Sequence, residues 1–165
     1  MQPISRRALL SLTGAGAAMA VLGGFPLSGR AQPTLIRFPF TRTDAQWRIM
    51  LSTDAYAVLR QHGTERPGSS ALDREHRRGV FHCAGCALPL YSSAAKFDSG
   101  TGWPSFFQPL PNAVGTSEDR SLGALRTEVH CSRCGGHLGH VFPDGPRPTG
   151  LRYCMNGVAL RFRPA

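Results

Sequence analysis

Two short cysteine pairs constrain this chain more than any other feature. They are Cys83-Ala84-Gly85-Cys86 and Cys131-Ser132-Arg133-Cys134. Each pair presents two sulfurs from one tight turn, and two such turns complete the tetrahedral sphere of a single Zn2+ ion. A four-thiolate site has no open position for water, so its expected role is to clip the fold together. A redox dithiol is the rival reading of one pair, but no βαβ pattern surrounds either. Disulfides are the rival reading in an exported chain. His82 and His130 flank the pairs and are read as neighbours, not ligands.

That arithmetic leaves Cys154 over. A lone cysteine is often an inert small hydrophobe. This one follows His137 and His140, from which it is separated by a turn-forming run containing Pro143, Asp144, Gly145, Pro146 and Pro148. A spare thiol that folding brings beside histidines is a candidate nucleophile. The HExxH pattern of a catalytic zinc is absent, and no HxE accompanies a PCxxC, which argues against zinc-dependent deamination.

The 165 residues suit one domain after a leader is removed. Residues 1–31 read as an export signal: Arg6-Arg7, an apolar Ala/Gly-rich run, then small residues around Ser28 to Ala31. The arginine pair gives it a twin-arginine character. The apolar run is long enough to span a bilayer, but its glycines make it a poor spanning helix, so cleavage without stable membrane association is expected. The implied location is the periplasm. A route that carries folded cargo lets the thiols take up their metal before they meet an oxidising compartment. The formal charge of +9 falls to +6 without the leader's three arginines. No basic run is interleaved with aromatics, so nucleic-acid binding is not expected.

Residues 32–42 read as an extended lead-in and residues 43–165 as the working domain. Thr43 to Gln46 has capping-box spacing and opens a short helical turn around Trp47 to Leu51. Ser52 to Thr53 starts a second predicted helix, Asp54 to Gln61, which ends at Gly63, with Tyr56, Val58 and Leu59 facing the core. Glu65 is either a group that serves a site or, the commoner outcome, an exposed or salt-bridged loop acid, and Asp73 to Arg78 reads as a solvated face. Val80-Phe81 enters the first cysteine pair as a strand. Ala113 to Leu122 reads as a polar, mobile loop. Leu125, Thr127 and Val129 alternate with polar neighbours as a half-buried strand, and Val158, Leu160 and Phe162 do so in the last strand. Short strands, many turns and two small N-terminal helices define a mainly β class, with antiparallel sheets in a barrel or tent-like arrangement around the zinc clip.

With these readings in place, the stretches KFDSGTGWPSF and RTEVHCSRCGGHLGHVFPDGPRPTGLRYCMN resemble the methionine-R-sulfoxide reductases of the B type. The resemblance runs from about Thr43 to Phe162. It implies an antiparallel β fold with structural zinc on Cys83, Cys86, Cys131 and Cys134. It implies Cys154 as nucleophile, with His137, His140 and Asn156 in the active site. It also implies Trp103 against the substrate methyl group, and Asp144 and Arg152 as supporting residues. Many members carry a resolving cysteine in the glycine loop, where this chain has Thr101. The chain therefore resembles the one-cysteine form.

The chemistry sets three requirements. Cys154 must ionise, which a cation such as Arg152 or a histidine favours. The sulfoxide oxygen needs a proton donor, for which His140 is the first candidate and His137 the second. The methyl group needs an apolar wall, from Trp103 with Phe106 or Phe142. The expected products are methionine and a Cys154 sulfenic acid, which an external thiol, thioredoxin-like or other, then reduces. No organic cofactor is called for, and oxidised proteins are the expected substrates. A zinc-stabilised binding module without catalysis is the competing reading.

Overall fold

A computed structural model describes residues 37–121 and 123–165. The leader and the first part of the lead-in lie outside the described residues. From Phe38 onward the lead-in is tied down: the Phe40 amide donates to the Arg133 carbonyl, and the Phe40 ring tilts against Trp47.

Helix α1 (Asp44–Met50) starts as its capping box requires. Thr43 Oγ1 accepts from the Gln46 amide, and the Gln46 side chain accepts from the Thr43 amide, so two otherwise orphaned donors are satisfied. Helix α2 (Thr53–Gln61) is capped by Ser52 and buries Ala55, Tyr56, Val58 and Leu59. It ends one residue before the expected glycine, at His62, which takes the left-handed conformation with φ 56°.

Nine strands follow among the described residues. They are β1 (Gly79–Cys83), β2 (Pro89–Ser92), β3 (Lys96–Phe97), β4 (Ser105–Phe106), β5 (Val114–Asp119), β6 (Arg126–Cys131), β7 (His137–Phe142), β8 (Arg152–Met155) and β9 (Leu160–Pro164). All pair antiparallel. One sheet has the order β2-β1-β9 and the other β3-β4-β8-β7-β6-β5. Among the described residues neither sheet closes on itself, so the barrel alternative is corrected to two open sheets. Aromatic side chains join them: Tyr91 of β2 stacks on Phe106 of β4 at 4.3 Å, and Phe81 of β1 meets the same ring edge-on at 4.9 Å. No helix among the described residues is long and apolar enough to cross a membrane.

Three local expectations are corrected. Most of the stretch read as a mobile loop is strand β5, in continuous register with β6 from Val114 opposite Cys131 to Asp119 opposite Arg126. It lies at a sheet edge and is largely exposed, so it carries no apolar alternation to read. In β6, Glu128 is buried while Thr127 is exposed, and Leu125 lies outside the strand at 63% exposure. Val158 belongs to a 3-10 turn (Gly157–Ala159), and the last strand begins at Leu160.

Candidate functional site

The two cysteine pairs sit at the ends of β1 and β6, in different sheets. In each turn the residue after the second cysteine adopts positive φ: Ala87 at 59° and Gly135 at 66°. At Gly135 a side chain is excluded twice, by that backbone angle and by the Phe38 ring, which a Cβ would meet at 2.3 Å. All four cysteines are buried and free of disulfides. Cys83 Sγ lies 3.7 Å from Cys134 Sγ, and Cys86 Sγ lies 3.5 Å from Cys131 Sγ. Sulfurs about 2.3 Å from a tetrahedral ion are separated by about 3.8 Å. The donor set therefore fits a metal such as zinc, held by four thiolates.

Cys154 sits in the middle of β8. Its direct neighbours across the ladder are His140 on β7 and Ser105 on β4. Opposed residues in a ladder project to the same face, so the thiol and the imidazole are placed together by register alone. They open into a cleft of about 130 Å³, walled also by Trp103, Phe142, Asn156, Thr64, Gly139 and Arg126. Cofactor pockets are larger, about 300–1,000 Å³. The cleft suits the end of one side chain.

Burial pushes the Cys154 thiol above its ordinary range; the Thr101 hydroxyl and the Arg152 charge pull the other way without prevailing. Thr101 Oγ1 is 3.9 Å from Cys154 Sγ and continues a hydroxyl chain through Ser99 to Ser105. Arg152 forms a two-pronged pair with Asp144 at 2.8 and 2.9 Å and covers the Phe142 ring at 4.6 Å.

His140 Nε2 lies 2.7 Å from Asp119 Oδ2, and Arg126 reaches the same oxygen at 2.6 Å. Burial lowers the His140 pKa, and the bond to Asp119 partly restores it. Asp119 is held well below the carboxylate range, first by Ser121 and then by His140. His137 is buried outside the cleft wall, with its ring 5.3 Å from that of His140 and its Nδ1 2.8 Å from Glu128 Oε1.

Asn156 is committed at both ends of its amide. Nδ2 donates to the Leu138 carbonyl at 3.1 Å, and Oδ1 accepts from the Glu65 amide at 2.9 Å. Glu65 is no exposed loop acid. Its carboxylate accepts from the Gly157 and Val158 amides, and its carbonyl accepts from the Trp103 indole at 3.2 Å. It thus locks the indole that walls the cleft. Burial raises the Glu65 pKa against the pull of those amides.

The structure therefore brings Cys154, His140, Trp103, Phe142 and Asn156 to one cleft. Phe106 is fully buried on Tyr91 and does not line it, which corrects its place in the substrate wall. His137, Arg152 and Asp144 stand around the cleft rather than in its wall. Sequence reasoning missed Asp119, Arg126 and Glu128. The one available signal was Glu128, an acid amid strand-forming residues.

Two open sheets clipped by four cysteines, with a fifth thiol opposite a histidine in a small cleft, define a cysteine-centred oxidoreductase class. Residues 51–164 match the SelR domain family. The peptide methionine sulfoxide reductase MsrB of Thiobacillus denitrificans is 56% identical over 124 residues, covering 74% of this chain and 94% of that protein. The proteins of the same name from Agrobacterium fabrum and Pseudomonas entomophila are 52% and 55% identical over 124 residues, covering 92% and 95% of their lengths. The chain belongs to the methionine-R-sulfoxide reductase family, B type.

Proposed function

We propose that the chain reduces protein-bound methionine-R-sulfoxide through direct attack by Cys154. Family membership makes it a peptide-methionine (R)-S-oxide reductase. The observation that carries the residue-level reading is the pairing of Cys154 with His140 across one ladder, in a cleft walled by Trp103 and Phe142.

The Cys154 thiolate attacks the sulfoxide sulfur while His140 protonates the oxygen; the oxygen then passes to the cysteine sulfur as the new sulfur–sulfur bond breaks, its electron pair leaving with methionine. The oxygen ends on Cys154: thiolate, sulfoxide and one proton give sulfenic acid and thioether. Asp119 accepts from His140 Nε2, so the proton given is the one on Nδ1, and the carboxylate stabilises the imidazolium. Trp103, fixed through Glu65, faces the methyl group and Phe142 completes the apolar wall. Arg152 adds a positive charge that favours the thiolate, and Asp144 holds it in place. Asn156 fastens the loop carrying Glu65 against β8.

Four cysteines hold zinc in this reading, and Thr101 offers no second thiol. Two equivalents of an external thiol therefore return Cys154 to its reduced form, yielding a disulfide and water. Residues 1–31 direct export to the periplasm, residues 32–42 are the lead-in and residues 43–165 are the reductase domain. The test is to incubate purified protein with each sulfoxide diastereomer and dithiothreitol. Loss of the R isomer alone, abolished by Cys154→Ser with metal content unchanged, is expected. Turnover of neither isomer, or full activity in C154S, overturns the reading.

A further inference from the structure

A second cluster of ligating side chains stands apart from the four cysteines. His62 closes helix α2, Glu128 lies in the middle of β6, and His137 opens β7. Nδ1 of His137 is 2.8 Å and Nδ1 of His62 is 3.0 Å from the same Glu128 oxygen, Oε1. One ligand atom from each of the three residues falls within 4.8 Å of the others. Ser117 Oγ donates to Oε2 at 2.5 Å, which fixes the carboxylate with Oε1 turned to the two rings.

Two imidazoles and a carboxylate on one centre form the donor set that first-row divalent cations take. Ligands bound at about 2.1 Å to a tetrahedral or octahedral ion lie about 3.0–3.4 Å apart. The two observed edges need to open by only a few tenths of an ångström. Among the described residues the His137 ring makes no hydrogen bond through Nε2, so exchanging its Nδ1 proton for a cation breaks no second contact there. The His62 side chain is 67% exposed, which gives an ion an entry path and leaves positions for water.

We propose that His62, Glu128 and His137 form a second metal site, one for a divalent cation of nitrogen–oxygen preference such as Co2+, Ni2+ or Zn2+. It differs in kind from the four-thiolate site: softer sulfur donors and full burial there, harder donors and an open side here. Ser117 holds the carboxylate ligand in orientation, the role outer partners play in metal sites. Because the His137 ring lies against His140, an ion here is felt at the cleft. Slower sulfoxide turnover is a consequence that rests on the reductase reading; the binding itself does not.

The test uses the full chain carrying one zinc per molecule, titrated with Co2+ under equilibrium dialysis and visible spectroscopy. One further equivalent is expected, with weak d–d bands and without intense sulfur-to-cobalt charge transfer. His62→Asn, which retains a residue tolerant of the left-handed conformation, weakens that equivalent at least tenfold. In the unaltered protein, Ni2+ broadens the imidazole resonances of His62 and His137 before those of His76 and His82. Absence of a second equivalent, sulfur charge transfer from it, equal binding by H62N, or indiscriminate broadening of all four histidines overturns the site.

Discussion

At the scale of single residues, the distance from Thr101 to Cys154 bears on how the enzyme would be recycled under the proposed mechanism. The 3.9 Å between Thr101 Oγ1 and Cys154 Sγ leaves a side chain at position 101 beside the reacting sulfur. The T101C variant is expected to form an internal disulfide with Cys154 after one turnover without reductant, seen by mass spectrometry as loss of two hydrogens. The native protein shows no such bond. The pH dependence belongs to this scale too. His140 is shifted down by burial and Cys154 up by burial, so the thiolate–imidazolium pair that the proposed mechanism uses is a minority form. The rate of the first turnover is flat between the two pKa values and falls on either side. Asp119 raises the His140 pKa, so D119N lowers the plateau about tenfold per pH unit lost and moves the low-pH limb further down. An unchanged plateau with intact fold would remove Asp119 from the mechanism. Cys154 as the spare thiol, with His137 and His140 as candidate neighbours, was legible from residue type and spacing, whereas Trp103 as a cleft wall came from the family resemblance. Asp119 was not legible, because only the registers of β5 against β6 and of β6 against β7 together bring it to His140.

At the scale of elements, the site depends on how closely β7 and β8 approach. Gly139 has φ 156°, and a Cβ there would meet the Cys154 carbonyl oxygen at 2.1 Å. The obstacle is backbone, which cannot swing aside as a side chain can. G139A is expected to cost about 3 kcal/mol in urea unfolding, in line with overpacking, and to impair turnover by displacing Cys154 from His140. Normal stability and activity would show that the two strands can separate freely. The helices were legible because their starts are written in side-chain chemistry: Thr43 with Gln46, and Ser52 with the Ala55 amide. Strand β5 was not, since an edge strand that buries little carries no period for the eye to find. The terminal alternation of Val158 with Leu160 misled in the opposite way. The 3-10 turn at Gly157–Ala159 is fixed by Glu65, which is 92 residues away from Gly157 in sequence, and no local pattern encodes it.

At the scale of the whole molecule, the four-cysteine clip bridges the two sheets. Cys83 and Cys86 extend from β1 of the smaller sheet, and Cys131 and Cys134 from β6 of the larger. Structural zinc binding is worth on the order of 10 kcal/mol, comparable with the whole stability of a small domain at about 5–15 kcal/mol. C134S is therefore expected to lose its metal and to melt far below the native protein, while C154S keeps both metal and melting temperature. Calorimetry with metal analysis separates the two variants, and a C134S protein of native stability would show the clip to be dispensable. The clip itself was plain in the sequence as two CxxC turns; that it joins separate sheets required the strand order.

The cleft above Cys154 has room for one side-chain terminus at a time. Under the proposed mechanism, repaired methionine must vacate that doorway before a reducing thiol can reach the same sulfur. The two partners take turns, so initial-rate plots at several reductant concentrations should run parallel, and a surplus of sulfoxide should crowd out the reductant.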